Sequence, residues 1–86
     1  MRFRIRLEIE RRYRYYDVEK ISDDGRLECY RIFGKNKSIV LQSNRPLLRN
    51  KGLKYKLVEW KVIDGSIPFS KIAELFIDAI MKEVDK

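Results

Sequence analysis

An 86-residue chain with 20 Lys and Arg, 13 Asp and Glu and no histidine carries a net charge of +7, and 44% of its residues are hydrophobic. That composition is too apolar for a disordered chain, and its length fits one domain, residues 1–86, in which every element shares one core. The missing histidine removes the commonest general base, every Ser-His and Cys-His pair and most zinc sites, so no catalytic residue, metal or cofactor is expected and the chain reads as a non-enzyme.

Phe3, Ile5, Leu7 and Ile9 alternate with Arg2, Arg4, Arg6, Glu8 and Glu10, a period of two that sends the apolar set to one face of a strand and the charges to the other. The segment holds no continuous apolar run of the kind a secretory signal or a membrane anchor needs. One cysteine, Cys29, cannot form an internal disulfide, which points to a reducing cytoplasm. Beyond Ile9 the apolar parity moves from odd (Tyr13, Tyr15) to even (Tyr16, Val18). Two readings fit that slip: a tight turn over Glu10 to Arg12, or a β-bulge near Tyr15 in a continuous strand.

Ser22-Asp23-Asp24-Gly25 predicts a hairpin turn, with Leu27 to Phe33 as the return strand. Gly34 to Lys37 predicts a second turn before Ile39, Val40 and Leu41. From Gln42 to Gly52 the pattern reads as a long loop in which Pro46 opens, and Gly52 ends, one helical turn. Leu53 to Val62 predicts the last strand, with a parity change near Leu57 that suits a bulge, and Asp64-Gly65 closes it.

The period then changes. Phe69, Ile72, Ala73, Phe76, Ile77, Ile80 and Val84 recur at three and four, predicting a helix over about 68–84 with Ser66 or Ser70 as N-cap and Lys82 and Lys86 at its C-terminal end. The expected fold is therefore α+β: an antiparallel meander of about five strands over 2–63, covered on one face by a single C-terminal amphipathic helix. In architecture alone, this order is similar to pleckstrin-homology-like barrels closed by a C-terminal helix.

Residues 1–65 hold 17 basic and 9 acidic side chains, whereas residues 66–86 hold 3 and 4. Arg31 to Val58 contains eight cations and no acid. Cations without local partners project potential into solvent and attract polyanions. RNA or single-stranded DNA is thus the expected partner, with Lys35, Lys37, Arg45, Arg49, Lys51 and Lys54 as phosphate contacts and Tyr55 as a stacking ring. The run Arg12-Tyr13-Arg14-Tyr15-Tyr16 supplies the same material, aromatic rings beside guanidinium groups.

Competing readings stand beside this one. Lys and Arg are ordinary on a solvated sheet face, and strand tyrosines often pack as half-buried residues. No RNA-recognition strand signature, GxxG clamp or zinc-finger spacing occurs in the chain. The alternative function is a protein-interaction or self-association module without catalytic activity, using Trp60, Tyr16, Phe33 or Leu47-Leu48 at an exposed edge or face.

Overall fold

The computed structural model describes residues 1–34, 36–52, 58–66 and 70–84. Five strands, β1 (Arg2–Ile9), β2 (Arg12–Asp23), β3 (Glu28–Phe33), β4 (Ser38–Ser43) and β5 (Trp60–Asp64), pair antiparallel in the order of the chain. A short helix, α1 (Arg45–Asn50), joins β4 to the segment before β5, and α2 (Ser70–Val84) ends the fold. The α+β meander with a C-terminal helix is thus the observed architecture.

Glu10 and Arg11 form the β1–β2 turn, both with positive φ, 51° and 64°. Pairing runs unbroken from Ile9↔Arg12 to Arg2↔Glu19, so a two-residue turn produces the parity change and β2 has no bulge at Tyr15. The irregularity in β2 lies further on, between Lys20 and Ser22, where it faces β3. It leaves Ile21 as an extra, exposed residue.

The Asp-Asp-Gly turn is built by its carboxylates. Asp24 accepts the backbone N–H groups of Arg26 and Leu27 at 2.9 and 2.8 Å, and Asp23 accepts that of Gly25 at 2.9 Å. Pro46 stands in the first turn of α1, and Gly52, just beyond its end, takes φ 67°.

Residues 53–57 of the predicted last strand lie outside the described residues. The expected bulge near Leu57 falls among them, β5 begins at Trp60, and a register shift opposite Val40 and Leu41 leaves Ile63 as the extra residue of β5. Gly65 ends the strand with φ 79°, and a Cβ there would meet the Ser38 carbonyl oxygen at 2.8 Å. Of the two predicted N-caps, Ser66 precedes residues 67–69, which like Lys86 lie outside the described residues, and Ser70 is the first residue of α2.

One face of the sheet holds the core. Ile5, Leu7, Val18, Tyr30, Ile32 and Leu41 meet Phe76 and Ile80 of α2, which lies over β1. Ile72, Phe76, Ile80 and Val84, spaced by four, carry the apolar stripe of α2, and Lys82 occupies its last turn. The Tyr16 ring packs edge-on against Phe76 at 5.0 Å. Among the described residues no helix is long and apolar enough to cross a membrane.

Candidate nucleic-acid interface

The meander puts successive turns at opposite ends of the sheet. One end holds the β2–β3 turn and α1, joined by the Leu47 N–H donating to the Arg26 carbonyl at 3.1 Å and the Asn50 amide donating to the Gly25 carbonyl at 2.7 Å. The other end holds the β1–β2 turn and the β3–β4 turn. A strand of six residues separates the two by about 20 Å.

That separation divides the basic segment. Lys37 is exposed at the hairpin end, whereas Arg49 and Lys51 are exposed at the α1 end. Lys35, Lys54 and Tyr55 lie outside the described residues.

Arg45 does not reach the surface. Its guanidinium enters the core and forms a forked pair with Glu28, Nε to Oε2 at 2.8 Å and Nη2 to Oε1 at 3.1 Å. The Tyr30 hydroxyl donates to the same Oε1, and Ser43 Oγ donates to Oε2 at 3.1 Å. Lys20 Nζ stands 3.8 Å from the carboxylate. Arg45 as a phosphate contact is therefore a correction: the acid-free run finds its counter-charge 17 residues upstream, through the register that sets β3 beside β4.

Burial works against the Glu28 charge, but the hydrogen bonds from Arg45, Tyr30 and Ser43 outweigh it and hold the carboxyl below its ordinary range. Burial, and next the bond to Glu28, pushes the Tyr30 hydroxyl up, and the bond to Glu28 pushes Arg45 up. A carboxylate with no solvent exposure and both oxygens engaged holds the fold together and is not placed to exchange protons with a substrate.

The β1–β2 hairpin presents the opposite situation. β3 pairs with β2 only from Asp17 onward, so Arg12 to Tyr16 runs on with β1 as its sole strand neighbour, a ribbon about 17 Å long. The register places Arg2, Arg4, Arg6, Tyr13 and Tyr15 on the face away from α2, and Arg12 and Arg14 opposite Ile9 and Leu7 on the other. Tyr13 and Tyr15 are 59% and 61% exposed, values that exclude packing as their role.

Arg2 and Arg4 are partly neutralised by Asp17 and Glu19, at 3.2 to 3.9 Å. Arg6 lies over the Tyr13 ring at 4.7 Å. Among the described residues, Arg6, Arg11, Arg12 and Arg14 make no ion pair.

Compared with known proteins, the chain matches no family, no curated protein and no solved structure. The site therefore rests on its own geometry. An open cleft of about 710 Å³ lies where the ribbon meets the β3–β4 turn, lined by Arg14, Tyr15, Tyr16, Phe33, Asn36 and Lys37. A smaller one, about 420 Å³, opens near α1 between Leu27, Gln42, Asn44 and Trp60, with Glu59 at its wall. Within the sheet, Arg31 Nε and Trp60 Nε1 are buried without a hydrogen-bond partner.

The charge pattern of the sequence points to phosphate contacts on the acid-free run and passes over Arg6 and Arg11. The signal for them was the alternation of β1 together with the Arg/Tyr cluster. Its meaning depended on whether Glu10 and Arg11 form a turn.

Proposed function

We propose that the chain binds single-stranded nucleic acid, RNA or single-stranded DNA, along the β1–β2 ribbon. The observation that carries this reading is the pair Tyr13 and Tyr15, two residues apart on one face of a strand and mostly exposed, beside arginines without counter-ions. Such rings stand about 7 Å apart along the strand and offer flat surfaces to unpaired bases, while Arg6, Arg11, Arg12 and Arg14 supply the phosphate contacts. A duplex hides its base faces inside the stack, so the same rings gain nothing from it.

Lys37 extends the basic surface at the neighbouring turn. Arg49 and Lys51, at the far end of the sheet, belong to a separate patch and are not part of this site.

Fluorescence anisotropy with labelled single-stranded and duplex oligonucleotides tests the proposal. Single strands are expected to bind more tightly than duplex, with affinity falling steeply as salt rises. Tyr13→Ala with Tyr15→Ala is expected to weaken single-strand binding by about 10-fold or more at unchanged thermal stability. No anisotropy change with any oligonucleotide at low salt overturns it.

A further inference from the structure

We infer that the cleft between the ribbon and the β3–β4 turn is a base-selective subsite, which takes one unstacked base with its phosphate and reads the base edge through the Asn36 amide. The inference rests on the single-strand reading above and deepens it. Its volume, about 710 Å³, lies within the range of small-ligand sites, about 300–1,000 Å³.

The chemistry of the lining is the argument. Arg14, Tyr15, Tyr16, Asn36 and Lys37 line this cleft, Tyr15 from the helix-free face of the ribbon and Arg14 and Tyr16 from the other, and among the described residues none of their side chains makes a hydrogen bond or an ion pair. Tyr15, Asn36 and Lys37, polar and without a hydrogen-bond partner among the described residues, are unlike the other end of the sheet, where Glu28, Ser43 and Arg45 satisfy one another.

Register supplies the aromatic walls. Asp17 pairs with Phe33, which makes Tyr15 and Phe33 diagonal neighbours on the helix-free face, about 7 Å apart and wide enough for a planar ring. The Arg2 guanidinium covers Phe33 at 4.9 Å, and Arg2 pairs with Glu19, on the side of Asp17 away from Tyr15. The side of Phe33 toward Tyr15 is thereby left to the cleft.

Lys37 at the turn and Arg14 at the edge of the ribbon supply cations for a phosphate. Asn36 provides a neutral amide, which presents one donor and one acceptor together and so pairs with the edge of some bases and not others. An acidic peptide would use the cations but has no need of two aromatic walls or of an amide.

The test compares labelled single strands of the four homopolymer sequences, bound to the full chain and to Asn36→Ala and Asn36→Asp. Asn36 is exposed in a turn, so both variants are expected to fold, with circular dichroism and melting temperature as the check. The wild-type chain is expected to prefer one base by about 10-fold. Asn36→Ala is expected to flatten that preference while mean affinity stays within about 3-fold, and Asn36→Asp, which exchanges the amide donor for an acceptor, to shift or abolish it.

Equal binding of all four sequences overturns the subsite and leaves the single-strand reading standing. A preference that survives in Asn36→Ala also overturns it. Displacement of the strand by a poly-glutamate peptide as readily as by unlabelled RNA reduces the cleft to a general anion site, and no binding of any strand removes both proposals.

Discussion

The two ends of this sheet differ in what meets their charges. At the α1 end Arg45 is buried against Glu28, Lys20 holds Asp23 at 2.7 Å, and the turn carboxylates accept backbone N–H groups. At the hairpin end, among the described residues, Arg11, Arg12 and Arg14 have no acid partner and two tyrosines stand in solvent. Charge counted along a chain does not reveal this difference, because a cation is available to a partner only if the fold has not already given it one. The buried Glu28–Arg45 pair ties the α1 end together, whereas among the described residues the hairpin arginines are left without acid partners.

The sharpest way to break that contrast is to remove one member of the buried pair. Glu28→Gln or Arg45→Ala leaves an uncompensated charge in the core and is expected to cost about 3–5 kcal/mol. For a chain of this length that is a large share of the whole stability. Arg11→Ala with Arg14→Ala is expected to change stability by less than about 0.5 kcal/mol, since neither side chain has a partner to lose. Urea denaturation of the variants side by side measures both; equal losses at the two ends would dissolve the distinction.

Acid sharpens it further. The Glu28 carboxyl is held below its ordinary value of 4.5, and those of Asp23 and Asp24 below 3.8, the first of these chiefly by Lys20 and the second by the Leu27 N–H. A depressed folded pKa stabilises the fold above the unfolded value and loses that contribution as pH falls through the folded one. The urea midpoint is therefore expected to hold from pH 7 to about pH 5 and to fall below about pH 4.5, with the Glu28→Gln variant flatter over the same interval. A midpoint independent of pH down to pH 3 would show that these carboxylates do not hold the α1 end.

These contrasts explain what the amino-acid pattern could and could not convey. The alternation of Phe3 to Ile9 and the three-four spacing of Ile72 to Val84 survive into the fold because each is set by local geometry and one apolar surface. Pro46 and Gly52 likewise marked α1 by their own backbone preferences. The Glu28–Arg45 pair was illegible, since it needs the pairing of β3 with β4 and then the entry angle of α1. So was the choice of turn at Glu10 and Arg11, two residues that carry no turn preference and adopt positive φ because the strands on either side pair through them. With that choice open, the face on which Tyr13 and Tyr15 emerge was open too.

The sheet edges bear on the self-association alternative. Among the described strands β5 ends the sheet, with Val62 37% and Ile63 48% exposed, an apolar edge that invites pairing, but Ile63 is the extra residue of a register shift. A bulge bends and interrupts an edge, which is how sheet proteins keep it from pairing with a neighbour. The other edge, β1, carries Arg2, Arg4 and Arg6 between its apolar residues, charged side chains of the kind that blunt an exposed edge.

A gain in stability tests why the hairpin end keeps a turn that costs stability. Glu10 and Arg11 each hold a left-handed backbone conformation that L-residues with a Cβ adopt at a cost of about 1 kcal/mol, and Asn-Gly at the same two positions relieves that cost. Glu10→Asn with Arg11→Gly is expected to stabilise the domain by about 1 kcal/mol, a rise of about 4–8 °C in Tm. If Arg11 contacts phosphate, the same pair of changes weakens single-strand binding and lowers the slope of affinity against salt by about one unit, whereas Glu10→Asn alone leaves that slope unchanged. Stability gained with binding intact would mean that Arg11 lies outside the interface and that the ribbon binds through Arg6, Arg12 and Arg14.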